Sequence, residues 1–210
     1  MGLQRMVEKR ELMMKRSLAL AVCILPLLTG NAAGQANVVP DTSPRLPPQP
    51  GQGLPLEDVR FLERAADQSA IEVEIGGLAA QQASSEEVRE LGSQVATDHE
   101  QIRQRLVELA QQHRVEVEER ESKDAWRPAI ERLQGQSGED FDRAYLGLQL
   151  GLGRQIIELY QTQASNSTVT DLARFAITTL VRLKQHFTTA QELGALNGLS
   201  IETVEQPPQY

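Results

Sequence analysis

Residues 61–113 read FLERAADQSAIEVEIGGLAAQQASSEEVRELGSQVATDHEQIRQRLVELAQQH, two consecutive helix-period segments separated by a short polar break. In the first, Leu62, Ala66, Ser69, Val73, Gly76 and Ala80, continuing back to Val59, recur at three- and four-residue steps and form one stripe. In the second, Val88, Leu91, Val95, His99, Ile102, Leu106, Leu109 and His113 do the same. Ser84 followed by Glu87 reads as a capping box opening the second helix. With so short a loop, the two helices must be antiparallel neighbours.

The rest of the chain repeats that pattern. Trp126 and Pro128 begin a short helical piece that Gly135 and Gly138 terminate. A third long helix carries Phe141, Ala144, Leu148, Leu152, Ile156 and Leu159, and a fourth, capped by Thr168, carries Leu172, Ala176, Leu180, Leu183 and Phe187. No segment reads as a strand. Two hairpins with a longer connection between them predict an all-α, ferritin-like four-helix bundle, its crossover containing the short helix, over residues 56–195.

Residues outside the bundle speak to location. Lys15-Arg16 precedes an uncharged run from Ser17 to Leu28, and small residues follow at Gly30, Ala32, Ala33, Gly34 and Ala36. This predicts a signal peptide over residues 1–36, cleaved within 32–36, and Met1, Met13 and Met14 are all possible starts. The run is short of the about 20 apolar residues that span a bilayer. Export to the periplasm or beyond is therefore the expectation, with an uncleaved signal anchor as the alternative. Residues 37–55, rich in proline with Gly51 and Gly53, read as an extended linker. Residues 196–210 read as a C-terminal tail.

The whole chain has 21 basic and 29 acidic residues. Loss of the leader removes Arg5, Lys9, Arg10, Lys15, Arg16, Glu8 and Glu11, leaving 16 basic against 27 acidic and a formal charge of −11. Nucleic acid and anionic lipid surfaces want a basic footprint and are poor partners; no nucleic acid and no membrane span of the mature chain are expected. Cys23 leaves with the leader, so the mature protein has neither disulfides nor thiolate chemistry.

Polar residues on the apolar stripes are the candidate site. At helical steps His99 and His113 fall near the centre of the second stripe, Asp98 at its edge and Glu72 at the border of the first. Antiparallel pairing brings Glu72 toward Asp98 and His99, where a carboxylate beside an imidazole would raise its pKa and orient it. The preferred reading is a buried polar clasp fixing helix register; the other is a metal or catalytic site using Glu72, Asp98, His99 and His186. A carboxylate-bridged two-metal bundle needs Glu-x-x-His, yet Ala96, Ala110 and Leu183 stand three residues before the histidines. There is also no phosphate loop, serine elbow or HExxH. No catalytic residue and no cofactor are therefore assigned, and iron or another divalent metal is the alternative.

Second apolar faces appear on two helices: Ile71, Ile75 and Leu78 on the first, Leu146, Leu150 and Ile157 on the third. Either the crossover around Trp126 and the segment Leu196 to Val204 cover them, or they form a self-association surface. The partner would then be a second copy or an envelope protein. Gly147 and Gly151 read as a site of close helix packing.

The blocks Glu72-Val73-Glu74-Ile75-Gly76, Asp98-His99 and Phe141-Asp142-Arg143-Ala144-Tyr145, with Ala65-Ala66, Leu78-Ala79, Val88-Arg89, His186 and Ala190-Gln191-Glu192-Leu193, resemble the exported bacterial family called domain of unknown function 4142. The resemblance spans about Leu56 to Leu193. It implies a ferritin-like fold outside the cytoplasm and no established reaction. Gly153 stands where many members place a histidine, and Val181 near a usual proline. The function expected is thus a non-enzymatic binding or self-association module in envelope or stress physiology, with a metal-binding or oxidative-stress bundle as the alternative.

Overall fold

The computed structural model describes residues 53–117 and 122–199, the side chains of 122–124 excepted. The signal peptide, nearly all of the linker and the tail beyond 199 lie outside the described residues. Those described form five helices: α1 (Leu56–Gln82), α2 (Glu86–Gln112), α3 (Ser122–Gln134), α4 (Gly138–Asn166) and α5 (Thr170–Leu196). Among them there is no strand, apart from an isolated bridge between Ala83 and Gly138.

α2 and α5 start within a residue or two of the sequence expectation, whereas α3 starts at Ser122, four residues before Trp126 and with Pro128 inside it, and Gly138 opens α4 instead of ending α3. Ser85, not Ser84, caps α2, its Oγ accepting from the Val88 amide at 3.3 Å. Ser84 is instead recruited by Asp142 on α4, whose buried carboxylate accepts from the Ser84 amide (2.8 Å), the Ser84 hydroxyl (2.7 Å) and the Ser85 amide (2.8 Å). That contact, which ties the α1–α2 loop to α4, outcompetes the local cap. Similarly α5 starts at Thr170 after Val169, while Ser167 Oγ accepts from the Val169 amide at 3.1 Å.

The four long helices pack around one core, each antiparallel to its neighbours. α1 contacts α2 and α4, and α5 contacts α4 and α2. Between α1 and α4, residue 58 lies by 163, 61 by 160 and 72 by 149, each step forward along one helix matched by an equal step back along the other. On the opposite side, 98 lies by 186 and 113 by 171. Since α2 and α4 both oppose α1, they run the same way, and the connection through α3 has to cross the length of the molecule.

The closest approach is between α1 and α2. A Cβ on Gly76 would sit 2.8 Å from the Gly92 carbonyl oxygen, and one on Gly92 would sit 2.6 Å from Ala79 Cβ. Small residues here let the two backbones touch. The expected close packing at Gly147 is not found, because a Cβ there would meet nothing within 4 Å.

The second apolar faces are not surfaces. Ile71, Ile75 and Leu146 have no exposed area and Leu150 has 1 %, while Leu78 and Ile157 are half-buried against the same core. α3 packs on both α1 and α4 and inserts a fully buried Trp126. Two helices that pack on each other and also under a third need apolar residues on two faces. The self-association surface built on these six residues is therefore corrected to core.

Candidate functional site

The helical register carries the polar seam residues inward together. Glu72 on α1, His99 on α2, Gln149 and Gly153 on α4 and His186 on α5 line one small pocket of about 10 Å³ together with Ile156, Leu183 and Phe187. A space of that size holds about one water molecule. All four expected residues, Glu72, Asp98, His99 and His186, are buried here, but they pair differently from the expectation.

Glu72 bonds neither Asp98 nor His99. Its Oε2 accepts from Gln149 Nε2 at 2.5 Å. Burial pushes the carboxyl up to about 8, the Gln149 bond opposing only weakly, so Glu72 holds a proton at neutral pH. Tyr145, from the Phe141–Tyr145 block, is buried, and its phenol is pushed well above its ordinary value by burial and then by Glu72.

Asp98 turns to α5. Its Oδ2 accepts from His186 Nε2 at 2.8 Å and from Gln94 Nε2 at 2.9 Å, while its Oδ1 meets an Arg182 guanidinium nitrogen at 3.1 Å. His186 therefore carries its proton on Nε2. Burial lowers its pKa against the pull of Asp98, with Arg182 lowering it further, and its buried Nδ1 has no hydrogen-bond partner among the described residues.

His99 sits with its ring 6.0 Å from that of His186. The Ser69 hydroxyl donates to the Ala65 carbonyl at 2.8 Å, so toward His99 Nδ1, 3.4 Å away, it can only accept. The proton of His99 is thus on Nδ1. Burial, and next the neighbouring His186, push its pKa down to about 3 despite Asp98. The seam holds a neutral acid, two neutral imidazoles and one fully paired carboxylate.

Gln149, Gln94 and Arg182 escaped the sequence reading, whereas Ser69 stood on the first stripe with no partner assigned to it. Of the three, Gln149 alone left a signal, a glutamine between Leu146 and Leu152 on an apolar stripe. Among the described residues no group of three or more His, Cys, Asp or Glu side chains is arranged to hold a metal ion. No helix among them is long and apolar enough to cross a membrane.

Arg182 also donates to Gln101 Oε1 at 3.1 Å, and this pair marks the edge of a second feature. Between α2 and α5 runs a groove of about 690 Å³, lined by Gln101, Ile102 and Arg105 on one side and by Thr170, Asp171, Arg174, Phe175, Thr178, Thr179 and Arg182 on the other. At one end Asp171 accepts from His113 Nε2 at 2.8 Å.

The family described as Domain of unknown function (DUF4142) matches residues 43–193. Among curated proteins no match is found. Two solved structures share the fold. A DUF305 fragment from Deinococcus radiodurans is 13 % identical with a TM-score of 0.61, covering 69 % of this chain and 99 % of that one. The "putative secreted protein DUF305" from Streptomyces coelicolor is 16 % identical with a TM-score of 0.61, covering 69 % of this chain and 95 % of that one.

Proposed function

The chain belongs to the DUF4142 family, and we propose from that premise that it is an exported, ferritin-like four-helix bundle that acts in envelope or stress physiology by binding and not by catalysis. The observation that carries this reading is how tightly the polar seam is filled. Its pocket of about 10 Å³ admits nothing larger than a water. Asp98 is consumed by Gln94, His186 and Arg182, and Glu72 is neutral and bonded to Gln149. A catalytic group must come within hydrogen-bond reach of a substrate, and no substrate fits here. A groove that does face solvent lies between α2 and α5. The parallel course of α2 and α4, linked through α3, supports the ferritin-like arrangement, and the leader-like residues 1–36 with the printed description of the Streptomyces coelicolor neighbour support export.

Complementation of a host strain deleted for the protein tests the reading. A Glu72→Gln/His99→Leu variant that is exported and folded should restore the deletion phenotype as well as the parent does. If it is folded and inert, the seam is the working site and the proposal fails. Amino-terminal sequencing of the exported protein should start within residues 32–37.

One observation favours a metal-binding bundle as a second reading: Glu72, Asp98, His99 and His186 converge, and His186 presents an unpartnered Nδ1 with its Nε2 held by a carboxylate. Elemental analysis of untagged protein decides it. Stoichiometric iron, zinc or manganese would establish this reading, and substoichiometric metal with no change in melting temperature on adding it would remove it.

A further inference from the structure

The groove between α2 and α5 gathers three arginines in an acidic chain, two of them paired with carboxylates just outside its lining. The chain as a whole is at −8, yet Arg105, Arg174 and Arg182 line this one groove and a single carboxylate, Asp171, faces them from its lining. Asp171 is in turn bonded to His113. The three guanidinium groups are not equally engaged. Arg105 pairs with Glu108 at 2.6 Å in a solvent-exposed i,i+3 contact, of the kind worth little in water. Arg182 is anchored by Asp98 and Gln101. Arg174 makes no side-chain hydrogen bond or ion pair among the described residues, so its five donors are free to meet a ligand without any bond being broken.

Placement adds to charge. Arg174 and Arg182 lie about two turns apart on one helix, and Arg105 stands opposite on α2. Ile102 and Phe175 contribute apolar wall, and Phe175 is fixed by edge-on contact with Phe61 at 6.5 Å. A volume near 690 Å³ falls within the about 300–1,000 Å³ of small-molecule sites. Guanidinium forks match the oxygens of carboxylates and phosphates, two at a time.

We propose that this groove binds a small multivalent anion, bearing phosphate or carboxylate groups, with Arg174 as the principal contact and Arg105 and Arg182 as flanking ones. This rests on the binding reading above and names the ligand chemistry it would serve.

Isothermal titration of the exported protein at low salt, with inorganic pyrophosphate and with citrate as separate probes, tests it. At least one probe should bind saturably. Pyrophosphate binding alone assigns phosphate, citrate binding alone assigns carboxylate, and each supports the proposal when Arg174→Ala weakens it about tenfold or more, as loss of a charge-assisted contact should. Arg143→Ala, outside the groove, should leave it unchanged. The melting temperature of Arg174→Ala, expected to equal that of the parent, shows that the variant is folded. If neither probe binds, or if binding survives both Arg174→Ala and Arg105→Ala/Arg174→Ala, the proposal is overturned. That failure would leave the complementation result untouched, so the ligand assignment and the non-catalytic reading fall separately.

Discussion

The α1–α4 contact and the α2–α5 contact are both antiparallel helix pairs, yet the first is buried along most of its length, with a pocket of about 280 Å³ only at its Asp58–Gln163 end, and the second opens into a groove of about 690 Å³. Along α1–α4, Asp58 meets Gln163 at 2.6 Å, the Phe61 and Tyr160 rings meet edge to face at 5.1 Å, and Glu72 meets Gln149, all of them buried. Along α2–α5, only the end at Asp98 and His186 is sealed, after which the helices part around the Arg-lined groove as far as His113 and Asp171. The cause is which side chains face each other. Aromatic rings and glutamine–acid pairs fill the first contact, whereas Gln101, Arg105, Arg174 and Thr178 keep their polar ends in water at the second. The same packing geometry thus yields a structural joint on one side and an accessible face on the other.

The largest expected effect breaks the sealed joint. Ile75 has no exposed surface, so Ile75→Asp places a carboxylate among apolar side chains with no partner, which should cost about 4 kcal/mol or more and leave the domain largely unfolded by circular dichroism. Val181, 72 % exposed on α5, should accept Asp with a change within about 0.5 kcal/mol in urea unfolding. A folded Ile75→Asp variant of altered oligomeric state would restore the self-association surface that the burial of Ile75 removes.

Next in size is a pH effect that belongs to the sealed joint. The folded-state pKa of Glu72 lies near 8, above its ordinary 4.5, so the folded protein keeps a proton that the unfolded chain releases. The stability this supplies is complete below pH 4.5 and is lost as pH rises toward 8, with a slope approaching about 1.4 kcal/mol per pH unit. His99 acts in the opposite sense: its depressed pKa makes stability complete above 6.5 and lost as pH falls toward 3. The difference between wild type and Glu72→Gln isolates the carboxyl, since the amide stays neutral throughout. Urea midpoints from pH 5 to 8 should fall relative to the variant as pH rises. A flat difference would mean that Glu72 is ionised in the folded protein.

Periodicity made the helices themselves legible, because burial on one face of a helix writes itself at three- and four-residue steps. It could not show which helix covers which face. Ile71 and Leu146 were left between core and surface for that reason, and the seating of Trp126 and the α1–α4 contact resolves them. Glu72, Asp98, His99 and His186 were visible as polar residues in apolar stripes, but their partners Gln149, Ser69 and Arg182 come from other helices or other turns, at distances in sequence that no local rule spans. Asp142 shows the same limit. It stood in one of the blocks that carry the family resemblance, and its work, holding the α1–α2 loop, depends on residues 57 and 58 positions away.

A smaller effect probes the sealed end of the α2–α5 contact. Asp98→Ala would leave the buried His186 Nε2 proton without its acceptor and strip Arg182 of its carboxylate. The loss should be about 1–3 kcal/mol, read as a lowered urea midpoint at unchanged slope. A cost below that range would mean that His186 finds water at once, and that the seal at this end is weaker than its burial implies.

The smallest expected effect is the one that decides whether the groove is a face or a joint. Arg174 touches no acceptor among the described residues, so Arg174→Ala should change stability by no more than about 0.5 kcal/mol. Arg182, nearly half exposed, pairs with a carboxylate that keeps His186 and Gln94 when the arginine is gone, so Arg182→Ala should cost less than about 1 kcal/mol. A groove assembled for packing would behave otherwise, because each of its long side chains would cover apolar wall and its truncation would expose Ile102 and Phe175. Paired urea titrations of the two variants distinguish these cases. If Arg174→Ala costs as much as Asp98→Ala, the open side is as structural as the sealed one, and the contrast between the two contacts is only one of solvent exposure.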